Sequence, residues 1–186
     1  TGSGLYDNII TDVALDSRGD VWAATMSGGA ARLKDRVIRV YLVEEGLPHP
    51  SVLSIGAAPG GDIWMGTMRG LCRLSRREDR IYRYSSTSFT PVGAVSPGKN
   101  GDCVAGTAAG GLVYAGAGGV DFWNSANGFP DDTIICLERG QNSDIWAGTR
   151  GGGLIRIFPA RIDPVPGSAG TAENSGRCLL RDGGTL

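Results

Sequence analysis

A single histidine, His49, stands in 186 residues, and that scarcity removes much of the chemistry that depends on imidazole. A zinc site normally draws on clustered His and Cys ligands. The four cysteines, at 72, 103, 136 and 178, form no Cys-x-x-Cys pair. A disulfide framework needs denser cysteines in a smaller chain, so these four read as small apolar fillers. No metal or other cofactor is implied. Apolar runs of the roughly 18 residues that span a membrane are missing, and no window carries a convincing helical period. The 18 basic and 19 acidic residues nearly cancel. With no basic stripe, nucleic acid is a poor partner. The sequence begins Thr1-Gly2-Ser3-Gly4, with neither Met nor signal peptide, as a cut piece or a mature form would.

What is abundant is glycine. It occurs 31 times, and much of it falls in one repeating pattern. Gly61-Asp62-Ile63-Trp64-Met65-Gly66-Thr67 has counterparts at Gly19-Asp20-Val21-Trp22-Ala23-Ala24-Thr25, at Gly101-Asp102-Cys103-Val104-Ala105-Gly106-Thr107 and at Asp144-Ile145-Trp146-Ala147-Gly148-Thr149. The aspartates are spaced by 42, 40 and 42 residues. A fixed period of about 40 residues signals a repeat architecture.

Within each period, four runs of about four to six residues, rich in Val, Ile, Trp and Tyr, are separated by Gly, Pro, Asp and Asn. Such runs read as strands. Four antiparallel strands per period make the blade of a β-propeller. The expected architecture is all-β, with about four four-stranded blades plus the start of a fifth. The repeats span 4–43, 44–85, 86–124 (degenerate, without its tryptophan) and 125–166, followed by a linker and truncated repeat at 167–186. Side chains alternate along a strand, so Ile63 and Met65 point one way and Trp64 and Gly66 the other. This places Trp22, Trp64 and Trp146 in inter-blade cores, with Gly66, Gly148, Thr25, Thr67, Thr107 and Thr149 as structural positions beside them.

A second signature precedes three of the first strands: Gly4-Leu5-Tyr6-Asp7-Asn8-Ile9-Ile10, Gly46-Leu47-Pro48-His49-Pro50-Ser51-Val52 and Gly128-Phe129-Pro130-Asp131-Asp132-Thr133-Ile134. The linker, the apolar strand, the Asp-x-Trp-x-Gly-Thr core and the following Gly-Leu-x-Arg together resemble the two-component regulator propeller repeat. The second and fourth repeats fit best. The first departs at Ala24 and the third at Cys103-Val104. The resemblance covers most of residues 4–157. It implies a many-bladed propeller in the extracytoplasmic or periplasmic sensor part of a bacterial hybrid histidine kinase or diguanylate cyclase. Residues 176–186 resemble the start of a fifth repeat, so the chain reads as part of a longer propeller.

Bare blade faces would expose apolar side chains, and the expected partners are a second copy of the chain or the remaining blades of the parent. Propellers bind ligands at the ends of the central channel. The loops there hold Met26, Met68, Arg69 and Arg150 after the Trp strands, and His49, Asp131 and Asp132 in the linkers. Arg69 and Arg150 read as equivalent positions, where two guanidiniums could grip an anion. The recurring Asp20, Asp62, Asp102 and Asp144 read as makers of turn hydrogen bonds, and Asp131-Asp132 as a turn cap. No nucleophile signature accompanies His49, so catalysis has little support. The first functional expectation is a non-enzymatic module that senses a small ligand such as a saccharide. The alternatives are an assembly scaffold and a propeller-type lyase or lactonase.

Overall fold

A computed structural model describes residues 4–87, 90–140, 144–158 and 161–166. Among them are four separate four-stranded antiparallel sheets, each with its strands in chain order. Blade 1 is β1 (Ile10–Leu15), β2 (Val21–Thr25), β3 (Ala30–Lys34) and β4 (Val37–Tyr41). Blade 2 is β5 (Val52–Ala57), β6 (Ile63–Thr67), β7 (Gly70–Ser75) and β8 (Arg80–Arg83). Blade 3 is β9 (Val92–Pro97), β10 (Cys103–Thr107), β11 (Leu112–Gly116) and β12 (Gly119–Trp123). Blade 4 is β13 (Ile134–Arg139), β14 (Ile145–Thr149), β15 (Leu154–Phe158) and β16 (Arg161–Pro164). The stretch 176–186, expected to open a fifth repeat, lies outside the described residues.

Strands β1, β5, β9 and β13 pack against one another in succession, so the first strand of every blade lines the axis. Each carries the same irregularity. Pairing with the second strand shifts between Ile10 and Asp12, Val52 and Ser54, Val92 and Ala94, and Ile134 and Cys136. A bulge bends its strand and frees a residue from the ladder. Here side chains at the bulges tie blades together. The Thr11 hydroxyl donates to the Val52 carbonyl at 2.6 Å, and the Ser54 hydroxyl to the Val92 carbonyl at 3.3 Å. Asp12 accepts from the Ile55 N–H at 2.9 Å.

Among the described residues, the buried apolar side chains lie between sheets, in three cores for four blades. Trp22, Ala24, Ala30 and Tyr41 of blade 1 meet Ile55, Ile63, Met65 and Leu74 of blade 2. Trp64 and Leu71 meet Val92, Cys103, Ala105 and Val113 of blade 3. Val104 and Leu112 meet Ile134, Ile145, Ile155 and Ile157 of blade 4. Strand alternation thus sends Trp64 forward to the next blade and Ile63 and Met65 back to the previous one. Trp22 stacks on Tyr41 and Trp64 on Tyr84, with ring centroids 5.5 and 5.2 Å apart. Where β10 has Val104 in place of tryptophan, the aromatic bulk of that core comes from Phe129 of the linker, Tyr114 of β11 and Trp123 of β12. Gly66 is required by close approach: a Cβ there would overlap the Val92 carbonyl and the Ser54 hydroxyl.

Trp146 is less deeply buried than its two counterparts. It is half-buried, whereas Trp22 and Trp64 are fully buried. It points forward, like the others, but among the described residues no blade follows blade 4.

Candidate functional site

The turn between the second and third strands is closed by the same kind of bond in all four blades. The motif threonine closes it: Thr25 donates to Gly29, Thr67 to Gly70, Thr107 to Gly111 and Thr149 to Gly153, each Oγ1 at 2.8 Å from the carbonyl oxygen. The residue after each threonine is pinned to the linker before the first strand. The N–H of Met26 donates to Ile9, that of Met68 to Ser51, that of Ala108 to Pro91 and that of Arg150 to Thr133, at 3.0–3.1 Å. Met26, Met68, Ala108 and Arg150 therefore occupy one rim position in successive blades, and all four are exposed.

This corrects the equivalence of Arg69 with Arg150. Blade 2 has a two-residue turn, Met68-Arg69, where blades 1, 3 and 4 have four residues. Arg150 is the counterpart of Met68, and Arg69 stands one position further, its N–H donating to Thr67 Oγ1 at 3.1 Å. The two guanidiniums do not occupy matching places.

The linker residues hold the turns. Asp131 accepts from the N–H groups of Thr133 at 2.8 Å, Gly152 at 3.0 Å and Gly151. Burial opposes its charge, but those donors and the neighbouring Arg150 outweigh it and hold the carboxyl below its ordinary value. Asp7, the corresponding residue of blade 1, accepts from the Ile9 N–H and from the Ser27 N–H and hydroxyl, which likewise lower its pKa. In blade 2 the same place is taken by His49, whose Nδ1 accepts from the Ser51 N–H at 3.0 Å. Asp132 is held apart from Asp131, accepting from the N–H and hydroxyl of Ser125 at 2.6 and 2.7 Å. Of the residues expected at the channel mouth, the fold thus brings Met26, Met68 and Arg150 into one series. His49 and Asp132 lie in the linkers behind them.

At the opposite end of the blades is a second repeated constellation. The motif aspartate pairs with an arginine on the third strand, and that arginine lies over the motif tryptophan. Asp20 is joined to Arg32, Asp62 to Arg73 at 3.2 Å and Asp144 to Arg156 at 2.6 Å. The guanidiniums lie 6.0, 5.8 and 4.9 Å from the centroids of Trp22, Trp64 and Trp146. In blade 3 the tryptophan and arginine are replaced by Val104 and Tyr114, and Asp102 instead meets Arg139 of blade 4 at 3.7 Å. Arg76 of blade 2 similarly crosses to Asp20 of blade 1, at 3.7 Å. Reading these aspartates as turn makers missed the ion pairs. The signal was present in the arginine of Gly-Leu-x-Arg, but the pairing needs the β2–β3 register, which sets Trp22 opposite Arg32. In blade 1 much of the turn bonding falls to Asp16, which accepts from the Arg18 and Asp20 N–H groups and from Trp22 Nε1.

Among the described residues no group of three or more His, Cys, Asp and Glu side chains could hold a metal ion, and no helix is long and apolar enough to cross a membrane.

The fold is a β-propeller. No family model matches the chain, and no curated protein matches it. Solved structures do. The extracellular domain of a putative hybrid two-component system from B. thetaiotaomicron is similar with a TM-score of 0.72 and 24% identity, over 86% of this chain and 23% of that one. A second such domain from the same organism gives 0.70 and 20% identity, over 91% and 24%. Streptogramin B lyase gives 0.74 and 17% identity, over 89% and 58%. The chain therefore spans about a quarter of the length of the sensor domains and less than two thirds of the lyase.

Proposed function

We propose that these blades form part of the ligand-sensing propeller of an extracytoplasmic bacterial signalling protein, and that the ligand sits on the rim formed by Met26, Met68, Ala108 and Arg150. The observation that carries this reading is the rim itself. Threonine-closed turns and matching linker hydrogen bonds present four successive side chains at one level, and these side chains differ in chemistry. A rigid scaffold with variable exposed tips is the usual arrangement of a recognition surface. Two methionines offer adaptable apolar contact, and Arg150 offers a planar fork for carboxylate or hydroxyl groups. That combination suits an acidic saccharide, whose ring has apolar faces and an anionic edge. The similarity to extracellular two-component domains supports the sensory role.

Calorimetric titration with acidic and neutral oligosaccharides tests this reading. Binding of an acidic saccharide that falls at least tenfold in Arg150→Ala, with the unfolding midpoint of the variant unchanged, supports it. Affinity unaffected by Arg150→Ala and by Met68→Ala moves the ligand elsewhere. The second reading is a propeller lyase, favoured by the TM-score of 0.74 to streptogramin B lyase. Cleavage of streptogramin B by the purified chain would replace the sensory assignment.

A further inference from the structure

The sequence holds two Asn-Gly pairs, Asn100-Gly101 and Asn127-Gly128, and the fold treats them oppositely. An asparagine followed by glycine can react with its own backbone, because the glycine nitrogen reaches the side-chain amide with no Cβ in the way. Three groups take part: the glycine N–H, the asparagine side-chain carbonyl and its NH2. At Asn127-Gly128 all three are held. Asn127 Oδ1 accepts from the Asn124 N–H at 2.8 Å, Nδ2 donates to the Phe122 carbonyl at 2.7 Å, and the Gly128 N–H donates to the Ser125 carbonyl at 3.3 Å. At Asn100-Gly101, in the turn between β9 and β10, none of the three has a hydrogen bond among the described residues. Asn100 is exposed, and its backbone N–H alone is tied, to Asp102 Oδ1 at 3.3 Å. The matching turns of blades 1 and 2 fasten their glycine: the Gly19 N–H donates to Asp16 at 3.0 Å and the Gly61 N–H to Ala58 at 2.8 Å. Gly101 makes no such bond, and an added Cβ there would meet nothing within 4 Å.

We propose that Asn100 is a self-modification site, converted with water to aspartate and isoaspartate through a cyclic imide, while the fold protects Asn127. The Gly101 nitrogen loses its proton and bonds to Asn100 Cγ. The bond from Cγ to Nδ2 breaks, and the nitrogen leaves as ammonia with a proton from solvent. Water then opens the five-membered ring. Opening at Cγ gives aspartate. Opening at the main-chain carbonyl gives isoaspartate, in which the backbone runs through the side-chain carbon. The product carries one more negative charge, beside Asp102, which meets Arg139 of blade 4 at 3.7 Å. The isoaspartate form also lengthens a turn that closes through the Gly98 N–H and the Asp102 carbonyl at 2.7 Å. The change therefore falls at the junction of blades 3 and 4, at the end of the blades opposite the rim.

Ageing of the whole chain at mildly alkaline pH, in buffer and in urea, followed by chymotryptic peptide mapping, tests the proposal. Cleavage after Tyr114 and Trp123 puts the two pairs on separate peptides. In the folded chain Asn100 is expected to convert at least tenfold faster than Asn127, giving both aspartate and isoaspartate. In urea, where the hydrogen bonds of Asn127 are gone, the two should convert at similar rates. Asn100→Gln should remove the fast acidic product, because its ring would need an extra carbon. Asn127 converting as fast as Asn100 in buffer overturns the proposal. So does an Asn100 that stays intact in buffer while it converts in urea, because the folded turn would then keep it from Gly101. Aspartate formed without isoaspartate overturns the imide route.

Discussion

Blades 2 and 4 carry nearly the same strand, Ile63-Trp64-Met65-Gly66-Thr67 and Ile145-Trp146-Ala147-Gly148-Thr149, yet the two tryptophans live differently. Trp64 is wholly buried and stacked on Tyr84, and its Nε1 has no hydrogen-bond partner among the described residues. Trp146 is half-buried, and its Nε1 donates to Asp144 at 3.1 Å. The motif fixes which way the side chain points. Whether it becomes core depends on the presence of a following blade. The same contrast separates the backward faces of blades 1 and 2. A repeat protein draws its stability from nearest-neighbour interfaces.

The sharpest way to break this comparison is at the buried tryptophan. Trp64→Ala should cost about 3–5 kcal/mol, read as a drop in the urea midpoint. Trp146→Ala should cost less, roughly 2 kcal/mol, since part of its surface is already exposed. Equal costs would mean that blade 4's forward face is covered in solution. Gly66→Ala should come next. Its Cβ meets backbone and buried hydroxyl rather than a yielding side-chain tip, and overpacking of this kind costs about 1–3 kcal/mol. Refolding yield and urea midpoint measure it.

The linkers offer a smaller contrast. Asp131 anchors blade 4's four-residue turn, and blade 2, with His49 in that place and a two-residue turn, has no such carboxylate. Asp131→Asn should lower stability by about 1 kcal/mol at neutral pH. Because the folded-state pKa of Asp131 lies below 3.8, its contribution is present above that value and is lost as pH falls through the lower, folded pKa. Wild type and variant should therefore converge in acid. A constant gap down to strongly acidic pH would remove the charge from the explanation.

The smallest effect concerns the thiols. Burial pushes Cys72 up to about 12 and raises Cys103 further, which fits their packing between blades. The ordinary value for both is 9.0. A thiol reagent at pH 8 should leave Cys72 and Cys103 untouched until the chain unfolds, while half-buried Cys136 reacts in the native state. Labelling followed by peptide mass mapping distinguishes the three, and modification of native Cys103 would mean that blades 2 and 3 separate readily.

Much of the architecture was legible because the repeat is printed in the chain. The 40-residue period gave the blades, the alternation along β6 gave the two faces of each sheet, and the Gly-rich stretches marked the turns. The threonines were marked by recurrence alone, and their role as turn closers emerged with the Thr Oγ1 to glycine carbonyl bonds. The bulges of β1, β5, β9 and β13 left no trace in composition, since Thr11, Leu53, Gly93 and Ile135 share no chemistry. At the rim, counting from the motif glycine set Arg69 beside Arg150. The shorter turn of blade 2 breaks that count, and only the hydrogen bonds of Met68 and Arg150 to their linkers restore the alignment.

The sequence by itself determined the local and periodic properties: strand positions, strand order within a blade, the direction in which each motif side chain points, and where turns close. These follow from alternation, β propensity and backbone freedom, which act within a few residues or within one repeat. Tertiary structure alone decided whether a forward-pointing tryptophan is buried, which arginine meets which aspartate, and which rim side chains stand at one level. Those outcomes depend on strand register, set by pairs across one hairpin such as Trp22 and Arg32, and on a neighbouring sheet, whose contacts join residues about forty positions apart.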